Sequence, residues 1–167
     1  IATLSDDNNL AMSFYRPMGA GSGTMRFKVF HLHQALELSD IIPLLENLGL
    51  RVLGEHPYNF MTSDQRRIWM HDFELRFDLP TEVDVHAVRN KFQEAFEAIW
   101  RQESDSDAYN RLVLGARLSW REVVVLRAYG RYMKQTAFNS SQTYIARTLA
   151  NHLDITRNLV ALFKTSF

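Results

Sequence analysis

Two histidines have the spacing that comes nearest to a chemical site. His31 and His33 are two residues apart in a segment that alternates apolar and polar residues. On a strand, both would point to one face and could share a metal ion. No third ligand is obvious in the sequence, so we interpret them as ordinary surface or cross-strand histidines. His71 and Asp72 are adjacent, so they face opposite sides of a strand and do not form a catalytic dyad.

The other chemical motifs are incomplete. The loop "GAGSG" at residues 19–23 contains G-x-G but precedes a predicted strand, whereas the dinucleotide fingerprint G-x-G-x-x-G precedes a helix. Glu103, Asp105 and Asp107 form an acidic run that could bind a divalent cation, although a solvated helix boundary is the simpler interpretation. The absence of cysteine excludes a thiolate zinc site and a cysteine nucleophile. We predict no catalytic, cofactor-binding or metal-binding residue in this chain.

A basic face on one predicted helix is the pattern with a candidate function. In the segment 119–135, "SWREVVVLRAYGRYMKQ", Arg127, Arg131 and Lys134 follow one another at spacings of four and three. This spacing places them on one side of a helix. The apolar stripe of the same helix is predicted to comprise Trp120, Val123, Leu126 and either Tyr129 or Gly130. We therefore predict that Arg127, Arg131 and Lys134 form a docking face.

Charge is unevenly distributed along the chain, although its net value is zero. Residues 1–107 carry 10 Lys and Arg against 17 Asp and Glu, and residues 108–167 carry 9 against 2. The simpler interpretation is that the two parts attract each other within one molecule. The alternative is that the basic part docks on an acidic partner outside the chain. Because the basic residues form no dense run, we predict no nucleic-acid partner.

The composition is that of an ordinary globular protein, with 46% hydrophobic and 23% charged residues. No apolar run approaches the roughly 20 residues that cross a bilayer, so we predict no membrane partner. Asp6 and Asp7 interrupt the N-terminus, which does not resemble a signal peptide. We expect a cytoplasmic protein. Since the first residue is Ile1, we also expect the chain to be a piece of a longer polypeptide.

The first part of the chain predicts an α+β fold. Period-two alternation favours strands at residues 8–16, 24–33, 50–61 and 67–77. Helical spacing favours helices at 38–49 and 84–101, the first with Ser39 as N-cap, Pro43 in or just after its first turn, and Gly49 at the C′ position. The order is therefore ββαββα.

That order is a permutation of a known arrangement. A ferredoxin-like or ACT fold runs β-α-β-β-α-β, and its last strand lies beside its first. Moving the last strand to the front gives the order found here, with the two adjacent strands joined by a hairpin. We therefore predict a four-stranded antiparallel sheet with two helices on one face. The junction "LLENLGLRVL" also resembles the first helix-to-strand turn of ACT domains.

The last part of the chain is predicted to be entirely helical. Ser119 and Glu122 form a capping box that begins one helix, a second helix begins near residues 139–141, and a third is capped by Asp154. We predict two domains, an ACT-like α+β domain at residues 1–102 and a helical linker or docking segment at residues 103–167.

Several motifs resemble the large multidomain bacterial NAD-specific glutamate dehydrogenases. They are "LENLGLRVLGEHPY", "NRLVL", "LSWRE", "LRAY", "SQTYI" and "LFKTSF", and the resemblance extends over residues 24–167. In that family the corresponding region is an ACT-like domain followed by a helical linker, N-terminal to the catalytic domain. A local departure is "SDSDAYN", in which Ala108 and Tyr109 replace the more usual Gly and Phe.

The resemblance implies a role outside catalysis. The parent enzyme oxidises L-glutamate to 2-oxoglutarate and ammonia and reduces NAD, but its glutamate and NAD sites lie in the catalytic domain, outside these residues. The implied function is a regulatory or structural segment that docks on the catalytic domain of the same polypeptide or on neighbouring subunits. The alternative is an independent ACT-like module that binds an amino-acid effector near the turn "ENLGLRV", residues 46–52.

Overall fold

Residues 4–5, 8–19, 21, 23–77, 83–136 and 140–166 are described by the computed structural model of the chain. The chain divides into two units, residues 1–46 with 50–78, and residues 47–49 with 79–167. This division falls near residue 78, whereas the sequence places a domain boundary at residue 102. The two domains of the sequence analysis stay a prediction.

The first unit contains a four-stranded antiparallel sheet. Its strands are β1 Leu10–Tyr15, β2 Thr24–Leu32, β3 Leu50–Met61 and β4 Arg67–Phe77. They lie in the order β1-β2-β4-β3, and every neighbouring pair is antiparallel. In a ferredoxin-like fold, the last strand lies beside the first strand. Here β1 lies beside β2 in the corresponding position. The predicted permuted order and the antiparallel sheet are confirmed.

Alternation along the strands makes one face of this sheet apolar. Phe27 of β2 lies opposite both Phe14 of β1 and Phe73 of β4, and all three side chains are fully buried. The rings of Phe14 and Phe27 meet edge to face, with their centroids 6.3 Å apart. Because side chains on a strand alternate between faces, the intervening residues Arg26 and Asp72 lie on the opposite face.

The helix between β2 and β3 is α1, Leu38–Asn47. Ile41 and Leu45 are four residues apart and are both fully buried, as the spacing predicts for the apolar side of a helix. Gly49 follows with a φ of 86°, a left-handed conformation that glycine adopts without strain. The predicted C′ glycine and the turn from α1 to β3 therefore have the expected backbone.

The start of α1 differs from the prediction. Ser39 is the second residue of the helix, not its N-cap, because the helix begins at Leu38. The Glu37 carbonyl accepts hydrogen bonds from the amides of Asp40 and Ile41 and so begins the helical pattern earlier. Pro43 consequently lies inside the helix. Since proline has no amide hydrogen, the α1 ladder loses one bond at that point.

The helix α2, Val85–Trp100, begins at the N-cap Asp84, whose carboxylate accepts hydrogen bonds from the amides of His86 and Ala87. Its buried residues include Val88, Phe92, Ala95 and Ile99 at the predicted spacings of three and four. α2 belongs to the second unit. The position of α2 on the sheet therefore stays a prediction, whereas the α+β class with a helical continuation is confirmed.

Helices also form the rest of the second unit. They are a 3-10 turn Ala108–Arg111, α3 Leu112–Gly115, α4 Trp120–Gln135, α5 Gln142–Asn151 and α6 Leu153–Ser166. The predicted capping box begins α4, because the Glu122 amide donates to Ser119 Oγ and the Ser119 amide donates to the Glu122 carboxylate. α5 has Ser141 as its N-cap. α6 begins one residue before Asp154, which is not its cap.

The buried stripe of α4 shows which of Tyr129 and Gly130 belongs to it, a choice that the sequence leaves open. Val123, Leu126 and Gly130 are buried, whereas Tyr129 is 47% exposed. Gly130 therefore completes the stripe. Trp120 is only half-buried, with the Arg121 guanidinium 4.3 Å from the centroid of its ring.

Candidate functional site

Arg127, the first residue of the predicted docking face, is buried inside the helical unit. It is 3% exposed, and its guanidinium forms a bidentate ion pair with Asp107. Nε donates to Oδ2 at 2.7 Å, and Nη2 donates to Oδ1 at 3.1 Å. A buried guanidinium is stable only when its donors are paired. Arg127 therefore supports the interior and does not lie on an exposed docking face.

The remaining donors of Arg127 bind the turn that precedes α3. Nη2 also donates to Asn110 Oδ1 at 3.1 Å and to the Asp105 carbonyl at 3.2 Å, and Nη1 donates to Ser104 Oγ at 3.4 Å. Asn110 is 2% exposed and itself donates to the Asp105 carbonyl from Nδ2. Residues 104–110 are thus fixed against α4 by one cationic side chain. We call Arg127, Asp107 and Asn110 the Arg127 network.

The acidic run has a structural role in this network. Asp107 is the N-cap of the 3-10 turn, because its carboxylate accepts from the Tyr109 amide while its own amide donates to Asn110. Asp105 pairs with Arg131 at 2.7 Å. Across the described residues, no group of three or more His, Cys, Asp or Glu could hold a metal ion. Within the run, Asp107 caps the turn and Asp105 is ion-paired.

Arg131 and Lys134 are the accessible part of the predicted face. The Arg131 side chain is 61% exposed even though it pairs with Asp105, and Lys134 is exposed. Docking through these two residues stays a prediction. The pairing of Arg127 and Arg131 with Asp107 and Asp105 joins the basic and acidic parts of the sequence, which supports the simpler interpretation of the uneven charge.

A second chain of hydrogen bonds joins the 3-10 turn, α4 and α5. The Tyr109 hydroxyl donates to Gln142 Oε1 at 2.9 Å, and Gln142 Nε2 donates to the Gly130 carbonyl at 2.8 Å. Burial raises the pKa of Tyr109, and the nearby charge of Asp107 raises it further, against the opposing effect of Arg127 and Arg131. The sequence gives no signal for this arrangement, since the departure at Tyr109 only marks the turn as unusual.

An apolar groove lies between α4, α5 and α6. Its volume is about 410 Å³, and no charged residue lines it. Tyr129 and Met133 line it from α4, Ile145 and Leu149 from α5, and Leu159 and Leu162 from α6. Tyr129 is 47%, Leu159 45% and Leu162 63% exposed. Contiguous exposed apolar surface of this kind marks interaction sites. We call this feature the apolar groove.

An ion pair joins the ends of α4 and α6. Lys164 Nζ lies 2.5 Å from Glu122 Oε1. Burial acts to raise the pKa of Glu122, but the hydrogen bonds from Lys164 and Ser119 outweigh it, so this pKa lies below its ordinary value. Glu122 therefore both caps α4 and anchors α6.

The sheet carries two polar pairs on opposite faces. Arg26 binds Asp72 through two contacts of 3.0 and 2.8 Å, and His71 Nδ1 lies 2.7 Å from Glu55 Oε1. His71 and Asp72 thus have different partners on opposite faces of the sheet. Both pairs join neighbouring strands: Arg26 is on β2, Glu55 is on β3, and His71 and Asp72 are on β4.

The strand interpretation of His31 and His33 is wrong at its second residue. β2 ends at Leu32, and His33 has a left-handed φ of 76°, so the two histidines do not share a strand face. His31 is buried with Nδ1 3.0 Å from the Gln34 carbonyl, whereas His33 is exposed.

Comparison with known proteins assigns both units. The family profile described as "Glutamate dehydrogenase, ACT3 domain" matches residues 9–88, and the profile "Glutamate dehydrogenase, helical motif 3" matches residues 104–167. The chain belongs to the glutamate dehydrogenase family. The resemblance that the motifs indicate is confirmed over the ACT-like part and the helical part.

Relatives within this family match the chain along its length. The NAD-specific glutamate dehydrogenase of Halomonas elongata is 47% identical over all 167 residues, and that of Pseudomonas aeruginosa is 45% identical over the same span. The NAD-specific glutamate dehydrogenase of Mycobacterium tuberculosis is 36% identical over 78% of this chain and 8% of its own length. The chain spans about a tenth of the length of the first two relatives.

Among the helices of the described ranges, none has the length and apolar character needed to cross a bilayer.

Proposed function

We propose that this chain is a non-catalytic regulatory and structural segment of an NAD-specific glutamate dehydrogenase. The observation that carries the proposal is the match to NAD-specific glutamate dehydrogenases over the whole chain, which is only 10% of their length. The full-length protein would oxidise L-glutamate to 2-oxoglutarate and ammonia and reduce NAD in the cytoplasm.

Ion pairing of charged side chains within the chain supports a structural role. Arg127 is committed to Asp107, Arg26 to Asp72, and Glu122 to Lys164. These three ion pairs join neighbouring strands or helices, as expected of groups that stabilise a fold. We propose that both substrate sites lie in the catalytic domain of the same polypeptide, as the family resemblance implies. That domain, neighbouring subunits and an amino-acid effector are the proposed partners.

Two activity measurements test the proposal. The full-length protein is expected to form NADH from L-glutamate and NAD, and the purified 167-residue segment is expected to form none above a buffer blank. In the full-length protein, Asp107→Asn should lower the temperature at which activity is lost while leaving the KM for glutamate and for NAD unchanged at lower temperature. Activity of the segment, or a change in KM alone, would count against a non-catalytic role.

Titration of the full-length enzyme with amino acids other than the substrate glutamate tests the regulatory part. An effector bound to the ACT-like unit should change turnover and raise the thermal midpoint of the protein, since any ligand that binds the folded state stabilises it. A thermal midpoint that no amino acid changes would leave the segment with a structural role alone.

A further inference from the structure

We infer that the apolar groove binds an amphipathic helix, flanked by acidic residues, from another region of the same full-length polypeptide. The inference rests on the proposed function, because it requires that this chain is one segment of a larger enzyme. It differs from the predicted basic docking face, of which Arg127 is buried. The groove offers a different surface on the same helical unit.

The shape and chemistry of the groove favour a helix as its occupant. Leu162 and Leu159 on α6 are three residues apart and face Tyr129 of α4 across the groove, and all three are 45–63% exposed. A groove between helices that is lined by apolar side chains accepts the apolar face of another helix, through anchors spaced by three and four residues. Its volume of about 410 Å³ accommodates several such side chains.

The net positive charge of α4, α5 and α6 favours an occupant that has acidic residues beside its apolar face. α4, α5 and α6 together carry seven Lys and Arg against two Asp and Glu. Glu122 pairs with Lys164 and Asp154 with Arg157, while Arg127 and Arg131 pair with Asp107 and Asp105, so the basic side chains of these helices without an ion-pair partner among the described residues are Arg121, Lys134 and Arg147. An occupant with Asp or Glu beside its apolar face would be attracted to this surface, because complementary charge guides and orients docking.

The same charge disfavours a second copy of this unit. Two copies that met groove to groove would bring two sets of helices with unpaired basic side chains together, and like charges at an interface oppose association. A segment of the same polypeptide has a further advantage. About nine-tenths of the length of the relatives lies outside this region. A tethered segment whose linker spans the distance acts at an effective concentration of up to about the millimolar range.

Photo-crosslinking in the full-length enzyme tests the occupant directly. One variant carries p-benzoylphenylalanine at Leu162, which lines the groove, and a matched control carries it at Ile155, which is 58% exposed on the same helix outside the groove. After irradiation of a mixture of isotopically heavy and light protein, the cross-linked peptides are sequenced. The expected partner of residue 162 is a helical peptide from outside this 167-residue region, in the same molecule, with apolar residues and adjacent Asp or Glu.

Three results would overturn the inference. They are a cross-link from residue 162 to the groove of a second copy, a cross-link to a foreign protein, and a yield at residue 162 no higher than at residue 155. The identity of the cross-linked peptides does not depend on turnover. The cross-linking result therefore remains interpretable if the full-length protein fails to oxidise glutamate. Such a failure would overturn the proposed function separately.

Hydrogen exchange of the full-length enzyme gives a second measurement. Leu162→Asp removes a leucine that the docked helix would bury and adds a charge that repels acidic flanks, so docking should weaken at least about tenfold. Exchange of α4, α6 and the cross-linked peptide should accelerate by a similar factor, while Ile155→Asp leaves it unchanged. Equal exchange in the two variants would show that the groove is open to solvent.

Discussion

The hydroxyl of Tyr109 occupies the space that a side chain on Gly130 would need. A Cβ atom on Gly130 would lie 2.2 Å from the Tyr109 hydroxyl oxygen and 2.9 Å from Oε1 of Gln142. Tyr109 is 1% exposed and donates its hydrogen bond to that same Gln142 oxygen, so neither group has free space to move into. A glycine at residue 130 is therefore what allows the 3-10 turn and α5 to meet α4 this closely.

Gly130→Ala is the first test of this contact. In an open helix position the same change raises the free energy of unfolding by about 1 kcal/mol, because alanine is the better helix former. Here we expect it to lower that free energy by about 1–3 kcal/mol through overpacking. Urea unfolding of the chain measures the difference.

Tyr109→Phe provides the control for that variant, because it removes the oxygen that the new methyl group would meet. The double variant should lose less stability than the sum of the two single variants, since the two residues are in direct contact. Additive losses would show that the hydroxyl is not the obstacle at residue 130.

The sheet could be predicted because its signals are local. Alternation in β2 and β4 shows which residues share a face, and the element order alone leads to the permuted arrangement of strands. Gly49 and the Ser119–Glu122 capping box are also short-range patterns, and both lie where the sequence places them. His33 could not be predicted in the same way, because the end of β2 and the left-handed backbone have no strong sequence signal.

The burial of Arg127 could not be predicted from its helix. Spacing correctly places Arg127, Arg131 and Lys134 on one side of α4, but it does not reveal what packs against that side. The partner Asp107 lies 20 residues earlier, and tertiary folding brings it there. Its neighbours Asp105 and Glu103 make it look like part of a solvated acidic run. Only the three-dimensional position of the turn distinguishes the buried pair from the exposed one.

Asp107→Asn should therefore be strongly destabilising. It removes the close counterion of a buried guanidinium and leaves only Asp105, 3.8 Å from Arg127 Nε, and breaking such a buried pair costs about 3–5 kcal/mol. Because the Asp107 side chain is 34% exposed and Arg127 keeps its bonds to the turn, we expect the lower end, about 3 kcal/mol. Chemical denaturation measures this change in the free energy of unfolding. The matched control is Asp105→Asn, which breaks the exposed ion pair with Arg131 and a longer contact of 3.8 Å with Arg127 Nε, and is expected to lower the free energy of unfolding by about 1 kcal/mol.

Glu122 should make stability depend on pH under acid conditions. Burial acts to raise its pKa, but Lys164 and Ser119 lower it below the ordinary value of 4.5. A carboxyl whose folded pKa is lowered stabilises the protein above its unfolded pKa, and this contribution is lost as the pH falls through the folded pKa. We expect Glu122→Gln to lower the thermal midpoint at pH 7 and to differ less from wild type below about pH 4. A difference that is constant with pH would contradict the role of this charge.

The accessible pair Arg131 and Lys134 is tested in the full-length enzyme. Reversal of both to Glu should leave the fold intact, because exposed charges contribute about 0–1 kcal/mol each to stability. At an interface each reversal turns attraction into repulsion, so the double variant should lose assembly or turnover. Circular dichroism melting, sizing chromatography and steady-state glutamate oxidation are compared with Arg147→Glu, an exposed charge reversal on α5. If the double variant assembles and turns over like this control, Arg131 and Lys134 are simply solvated, and docking depends on another surface such as the apolar groove.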